Sequence, residues 1–157
     1  MQKVNISWKD SLNSLLERAY SLNLNYALHY PPYTYSRMRL IKKVGVGKDK
    51  KKCLENALAY ENVVDAILLD TVVVSGRGET GGTGKEHDWS ISKEIVGRLK
   101  KPVILAGGLN PDNAARAIEQ VNPFAVDVSS GVEREIRRKD DKKVKRFIEA
   151  VKSLKTQ

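Results

Sequence analysis

Residues 102–113 read PVILAGGLNPDN and residues 123–133 read PFAVDVSSGVE. In each, a short apolar run, Val103 to Ala106 or Phe124 to Val128, breaks at glycine or serine and gives way to a polar, amphipathic stretch. Runs of this length bounded by turn formers suit buried strands better than helices. Gly107-Gly108 closes the first run as a tight turn. Asn110 is then expected to cap a helix over residues 112–121, with Pro111 in its first position. Strand, helix, strand is the repeat of a parallel α/β fold, and these two segments set the phase for the rest.

Upstream, residues 63–69 (VVDAILL) form a near-continuous apolar run ending at Asp70, expected as a strand buried on both faces. Residues 40–46 (LIKKVGV) predict the strand before it, and residues 49–61 a helix with Leu54, Ala57 and Leu58 on one face. Further back, Leu12, Leu15, Leu16, Ala19 and Leu22 fall at helical spacing behind Asp10 or Ser11. Residues 25–29 (NYALH) predict a short strand stopped by Pro31-Pro32. Downstream of the long glycine-rich stretch 71–89, Ser90 or Ser92 can cap a helix to Leu99, and a last amphipathic helix covers residues 142–154. The count is about five strands with their helices in one domain spanning 1–157. An eight-unit barrel normally takes about 200 residues or more, so 157 are too few for a closed one.

Composition narrows the function. With 41% hydrophobic and 30% charged residues the chain reads as one globular domain. A single cysteine, Cys53, leaves no internal disulfide and points to a reducing compartment. No apolar run approaches the roughly 20 residues of a membrane span, and the start lacks the apolar core of a signal peptide, so a cytoplasmic address is expected. The net charge of +9 raises an anionic small molecule or a nucleic acid as ligand. The lysines cluster in helix-like stretches such as residues 48–52 and 142–146, as solvated faces do, and no stacking motif, helix-turn-helix or zinc finger accompanies them. Nucleic acid is therefore not the expected partner.

In parallel α/β proteins the loops at the carboxyl ends of the strands converge on the ligand. Asp70 stands at such an end, either as a general acid or as a cap for the following loop. The turns Gly107-Gly108 and Ser129-Ser130-Gly131 either bend the chain or form a phosphate cradle, glycine admitting close approach and the next helix supplying free N–H groups. Lys85 in GGTGK looks like part of a phosphate loop, but the full G-x-x-x-x-G-K-[ST] spacing is absent. His29 ends a strand, and His87 adjoins Asp88 without a triad partner. Cys53 is read as a surface or core thiol. No His, Cys and carboxylate cluster has metal-ligand spacing and no dinucleotide fingerprint occurs, so neither metal nor cofactor is expected.

Taken together, LLDT (68–71), GGTGKEHDWS (81–90), PVILAGGLNPDN (102–113) and PFAVDVSSGVE (123–133) resemble the phosphoribosylanthranilate isomerases of tryptophan biosynthesis. LIKKVGV resembles that family's fifth strand, NYALHY its fourth and Val4-Asn5 the end of its third. The resemblance implies a partial (β/α)8 TIM-barrel type, from about the end of strand 3 through helix 8. It implies a cofactor-free Amadori rearrangement of N-(5′-phosphoribosyl)anthranilate to the 1-deoxyribulose 5-phosphate. In it Asp70 is the general acid on the furanose oxygen, and Gly107, Gly108, Ser129, Ser130 and Gly131 hold the phosphate. Asp127, Gly82, Gly84 and Lys85 line or cover the site, with His29 nearby. The family's first-strand cysteine, its general base, and its second-strand Ser-X-Arg element have no counterpart here, and Tyr30 replaces a glycine. About two and a half βα units are expected to be lacking. A homodimer or a complementing fragment would close the barrel, and a phosphate-binding half-barrel without turnover is the alternative function.

Overall fold

The computed structural model describes residues 39–75, 78–80, 85–136 and 138–154, and side chains are described outside residues 73–80. The chain divides into a unit of residues 1–39 and a unit of residues 40–157; the fold below is that of the second. The helix expected over residues 10–22 and the strand over 25–29, with His29, lie outside the described residues.

Four parallel strands form the sheet in chain order: β1 (Ile41–Val46), β2 (Ala66–Thr71), β5 (Val103–Leu105) and β6 (Ala125–Val126). The helices α1 (Lys50–Ala59), α2 (Trp89–Arg98), α3 (Ala114–Val121) and α4 (Asp141–Ser153) pack each against the next in the same order. Strands and helices that both follow chain order make an arc of a barrel; a doubly wound sheet would reverse direction partway. The expected parallel α/β architecture is present, and four of its five anticipated strands fall in the described residues.

Register follows from alternation. Val44 and Val46 of β1 lie beside Leu69 and Thr71 of β2, and Ile67 and Leu69 beside Val103 and Leu105 of β5. All are buried, and they form the face that meets the helices. On the opposite face Lys43 pairs with Leu68, Gly45 with Asp70 and Leu68 with Ile104, and these positions are only partly buried or exposed. The expectation that β2 is buried on both faces is thus corrected: its burial alternates, because one face packs on helices and the other lines an open concavity.

Helix ends depart from expectation for local reasons. The buried side of α1 is Cys53 and Ala57, with Leu58 39% exposed, so Cys53 is a core thiol. Asp88, and neither Ser90 nor Ser92, caps α2, its carboxylate accepting from Ser90 N–H. The helix after Pro111 begins only at Ala114, because Asn110 Oδ1 accepts from the amides of Asp112 and Asn113 and holds residues 111–113 as a turn. α3 ends at Asn122 in the left-handed region, φ 52°. Two antiparallel hairpins, β3 (Val73–Ser75) with β4 (Gly78–Thr80) and β7 (Glu133–Glu135) with β8 (Arg138–Lys139), were not anticipated. Among the described residues no helix is long and apolar enough to cross a membrane.

Ile67 and Leu69 are fully buried between sheet and helices. Leu69→Ala is expected to lower unfolding free energy by about 2–5 kcal/mol. Ile136→Ala, at a position 89% exposed, should change it by less than about 0.5 kcal/mol. Urea denaturation of the two variants checks the assignment of the core face.

Candidate functional site

The open face of the sheet ends in a cavity of about 90 Å³ at the carboxyl ends of β2, β5 and β6. Leu68, Asp70 and Ala106 line it from the strands, Gly107, Gly108 and Leu109 from the turn after β5, and Asp127, Val128, Ser129 and Ser130 from the turn after β6. Pockets that engulf a drug-sized ligand measure roughly 300–1,000 Å³. This one admits a tetrahedral anion, and the rest of a larger ligand must lie over the open sheet face.

The two turns are built differently from the sequence expectation. Gly107 and Gly108 have φ of 85° and 71°, a conformation that disfavours any side chain. The space a Cβ would take is already occupied: at Gly107 by the Thr71 backbone N at 2.5 Å, and at Gly108 by the Lys85 carbonyl carbon at 2.5 Å and Glu86 N at 2.6 Å. Gly131 lies in the short 3₁₀ turn Ser130–Val132 with Leu109 O against it, and it does not line the cavity. These glycines admit neighbouring backbone, where the sequence left open whether they serve a tight turn or a ligand. The helix amides expected to face the anion at Asp112 and Asn113 are taken by Asn110 Oδ1. Among the described residues, no hydrogen bond engages the amides of Gly107, Gly108, Ser129 or Ser130. Successive free amides at the rim of a concavity are what an anion needs.

Asp70 is partly buried, and its carboxylate is held by the Lys43 ammonium at 2.7 Å. Sequence reading missed this lysine, although its place on the open face follows from the alternation of β1. Unforeseen contacts of three other side chains fix the rim. Lys139 donates to Ser129 O and to Glu133 Oε1, each at 2.8 Å, and braces the serine turn. Asn113 Nδ2 donates to Gly108 O at 2.9 Å and to Glu86 Oε1 at 2.8 Å, tying the glycine turn to residues 85–88. His87 bridges Thr71 Oγ1, at 2.9 Å from Nδ1, and Ser92 Oγ, at 2.6 Å from Nε2. Lys85 is exposed and contributes its backbone to the contact with Gly108. Gly82 and Gly84 lie outside the described residues.

Burial pushes the His87 imidazole below its ordinary value, against the attraction of Asp70, Asp88 and Glu86. The hydrogen bonds from Ser90 hold Asp88 below the usual carboxylate range, and the Lys143 amide does the same for Asp140 at the start of α4.

The family model described as N-(5′-phosphoribosyl)anthranilate (PRA) isomerase matches residues 28–150. The chain belongs to this family. It is 54% identical over 118 residues to N-(5′-phosphoribosyl)anthranilate isomerase of Methanocella arvoryzae, covering 75% of this chain and 53% of the relative. With the Methanocaldococcus jannaschii protein it shares 44% over 119 residues, 73% of this chain and 51% of the relative. The chain thus spans about half the length of the curated relatives it matches. Among solved structures, phosphoribosyl anthranilate isomerase from Thermotoga maritima aligns with TM-score 0.63 and 35% identity over 96% of this chain and 71% of that one. An isomerase in complex with reduced 1-(o-carboxyphenylamino)-1-deoxyribulose 5-phosphate aligns with TM-score 0.59 and 36% identity over 80% and 56%. The arc of βα units seen here is a part of that TIM-barrel type.

Two measurements test this construction. Gly108→Ala is expected to destabilise the chain by about 1–3 kcal/mol, from the positive φ together with the clash at residues 85–86, and to perturb the amide spectra of residues 85–88. For His87 the folded state binds fewer protons than the unfolded state below pH about 6.5, so stability falls as pH drops through that value and levels off below the lowered folded value. The urea midpoint should therefore be lower at pH about 5.5 than at about 7.5, and His87→Gln should flatten that dependence.

Proposed function

We propose that this chain contributes the phosphate-holding and proton-donating half of an N-(5′-phosphoribosyl)anthranilate isomerase site in the cytoplasm. The observation that carries this reading is the convergence of Asp70 and the two free-amide turns on one cavity, in a chain that belongs to that family. The 5′-phosphate sits against the amides of Gly107, Gly108, Ser129 and Ser130. They are fixed before the ligand arrives, so ordering them adds no cost to binding. A ribose attached there extends over Leu68 toward Asp70.

The reaction is an Amadori rearrangement. Protonation of the furanose oxygen by Asp70 breaks the bond between that oxygen and C1′, and the anilino nitrogen lone pair forms the C1′=N double bond of an iminium. Loss of the C2′ proton then gives an enolamine, which ketonises to the 1-deoxyribulose. The acid must carry a proton at the first step, so the Lys43 pairing of the resting site has to loosen as substrate enters. The base for C2′ belongs to the family's first-strand cysteine by resemblance. Cys53 does not take that place, since its Sγ packs beside Gly47 N at 3.3 Å and not on the cavity. Asp127 is the other titratable side chain lining the cavity among the described residues and is the first to test for that proton. His29, Gly82, Gly84 and Lys85 would complete the substrate's surroundings, and closure by a second copy or a complementing fragment is part of this reading. A structure of monomers generated from a dimeric Thermotoga maritima isomerase aligns over 96% of this chain at 33% identity, so pairing occurs among relatives of this chain.

Loss of the substrate's fluorescence, with substrate generated in situ, reports turnover. Asp70→Asn is expected to lower the rate by about 10²–10⁴ while leaving inorganic phosphate affinity within about twofold. An unchanged rate would remove Asp70 as the acid. Phosphate binding without turnover in the unmodified chain would leave a binding half-barrel.

A further inference from the structure

Resting on the reading of the two turns as a phosphate cradle, the hairpin β7–β8 acquires a use that this reading does not give it. Antiparallel pairing sets Glu133 opposite Lys139 and brings the lysine to the serine turn. Lys139 Nζ lies 2.8 Å from Ser129 O, 2.8 Å from Glu133 Oε1 and 3.5 Å from Ser129 Oγ, so its three donors are all directed at the protein. Its charge is met by the Glu133 carboxylate. The hairpin is held in turn by Lys143 Nζ on Glu133 O and by the Asp140 amide on Val132 O, each at 2.8 Å. Ser129 and Ser130 line the cavity, and Lys139 does not. The ammonium therefore stands behind the turn, outside the space an anion would fill.

We propose that Lys139 is a positioning residue, which aims the Ser130 amide at the bound phosphate by holding the carbonyl of Ser129. Ser129 O and Ser130 N–H belong to one peptide group. That peptide is trans, so its C=O and N–H point to opposite sides of the chain. With the carbonyl drawn to Lys139 behind the turn, the N–H is directed to the cavity side. Ser129, with φ −120° and ψ −86°, is neither helical nor extended, so the plane is set by what its carbonyl meets. Apart from the lysine, that carbonyl accepts from Val132 N–H at 3.4 Å, the longer and weaker bond. The charge-assisted bond from Lys139 is the one that decides. Turned over, the same peptide would present its oxygen to the cavity, where it repels a phosphate oxygen, and one donor of the cradle would be lost.

The test titrates inorganic phosphate into the full 157-residue chain and follows the backbone amides by NMR. In the unmodified chain the amides of Gly107, Gly108 and Ser130 are expected to shift together. Lys139→Met should weaken phosphate binding by about tenfold, the size of one hydrogen bond to a charged group. At saturating phosphate it should also abolish the Ser130 shift and leave those of Gly107 and Gly108. Lys139→Arg, whose guanidinium can donate to the same carbonyl, should restore both. Lys139→Gln, polar and too short to reach that carbonyl, gives the same readout as Lys139→Met should the latter fail to fold. A variant lacking the bond that binds phosphate as tightly as the unmodified chain would overturn the role of Lys139. So would one that binds more weakly yet keeps the Ser130 shift at saturation, because the lysine would then act through its charge alone. If phosphate shifts none of these amides in the unmodified chain, the cradle falls and this inference falls with it.

Discussion

The cavity depends on backbone passing closer to backbone than any side chain would permit. Thr71 at the end of β2 lies against Gly107, residues 85–86 against Gly108, and the Leu109 carbonyl against Gly131. Each contact joins the carboxyl end of one strand, or the loop after it, to the loop after the next strand of the sheet. Asp70 is thereby fixed relative to the glycine turn, and the glycine turn relative to the serine turn. Polar contacts then hold what the glycines admit: Asn113 ties Gly108 to Glu86, and Lys139 holds the Ser129 carbonyl. The loops of the rim share backbone contacts, and a cradle of free amides needs such support.

This explains an asymmetry between what was legible in the sequence and what was not. The strands were readable because apolar runs bounded by glycine, proline and aspartate are local signals. β1, β2 and β5 fall within a few residues of their expected ends, while β6 shortens to Ala125–Val126. Asp70, Ser129 and Ser130 were legible as candidates for the same reason, each standing at or just beyond a strand end, and Asp127 through the family resemblance; all four line the cavity. The glycines were legible as special positions but not in their use. A sequence shows that a Cβ is missing and cannot show which distant segment fills the space. The His87 bridge, spanning Thr71 and Ser92, and the Lys43 pair with Asp70 join residues from different elements, and no periodicity reports them. The hairpins of residues 73–80 and 133–139 escaped because their strands are only two or three residues long, too short for alternation to register.

The basic composition is distributed rather than focused. Lys50 pairs with Glu94 at 2.5 Å and Arg116 with Glu86 at 3.3 Å, while Lys51 and Lys145 face acids one helical turn on. Such exposed pairs each contribute little to stability. They do spread positive charge along the helix layer, which bears out its reading as solvated faces. Lys43 is placed differently: it rises from the strand face opposite the helices and meets the Asp70 carboxylate.

In the reading proposed above, binding and chemistry fall to different groups. Enzymatic acceleration requires interactions that are stronger in the transition state than in the ground state. Free amides on the phosphate bind ground and transition states alike, because the phosphate does not change during the rearrangement. They supply anchorage, and the change in charge occurs at the ring oxygen beside Asp70.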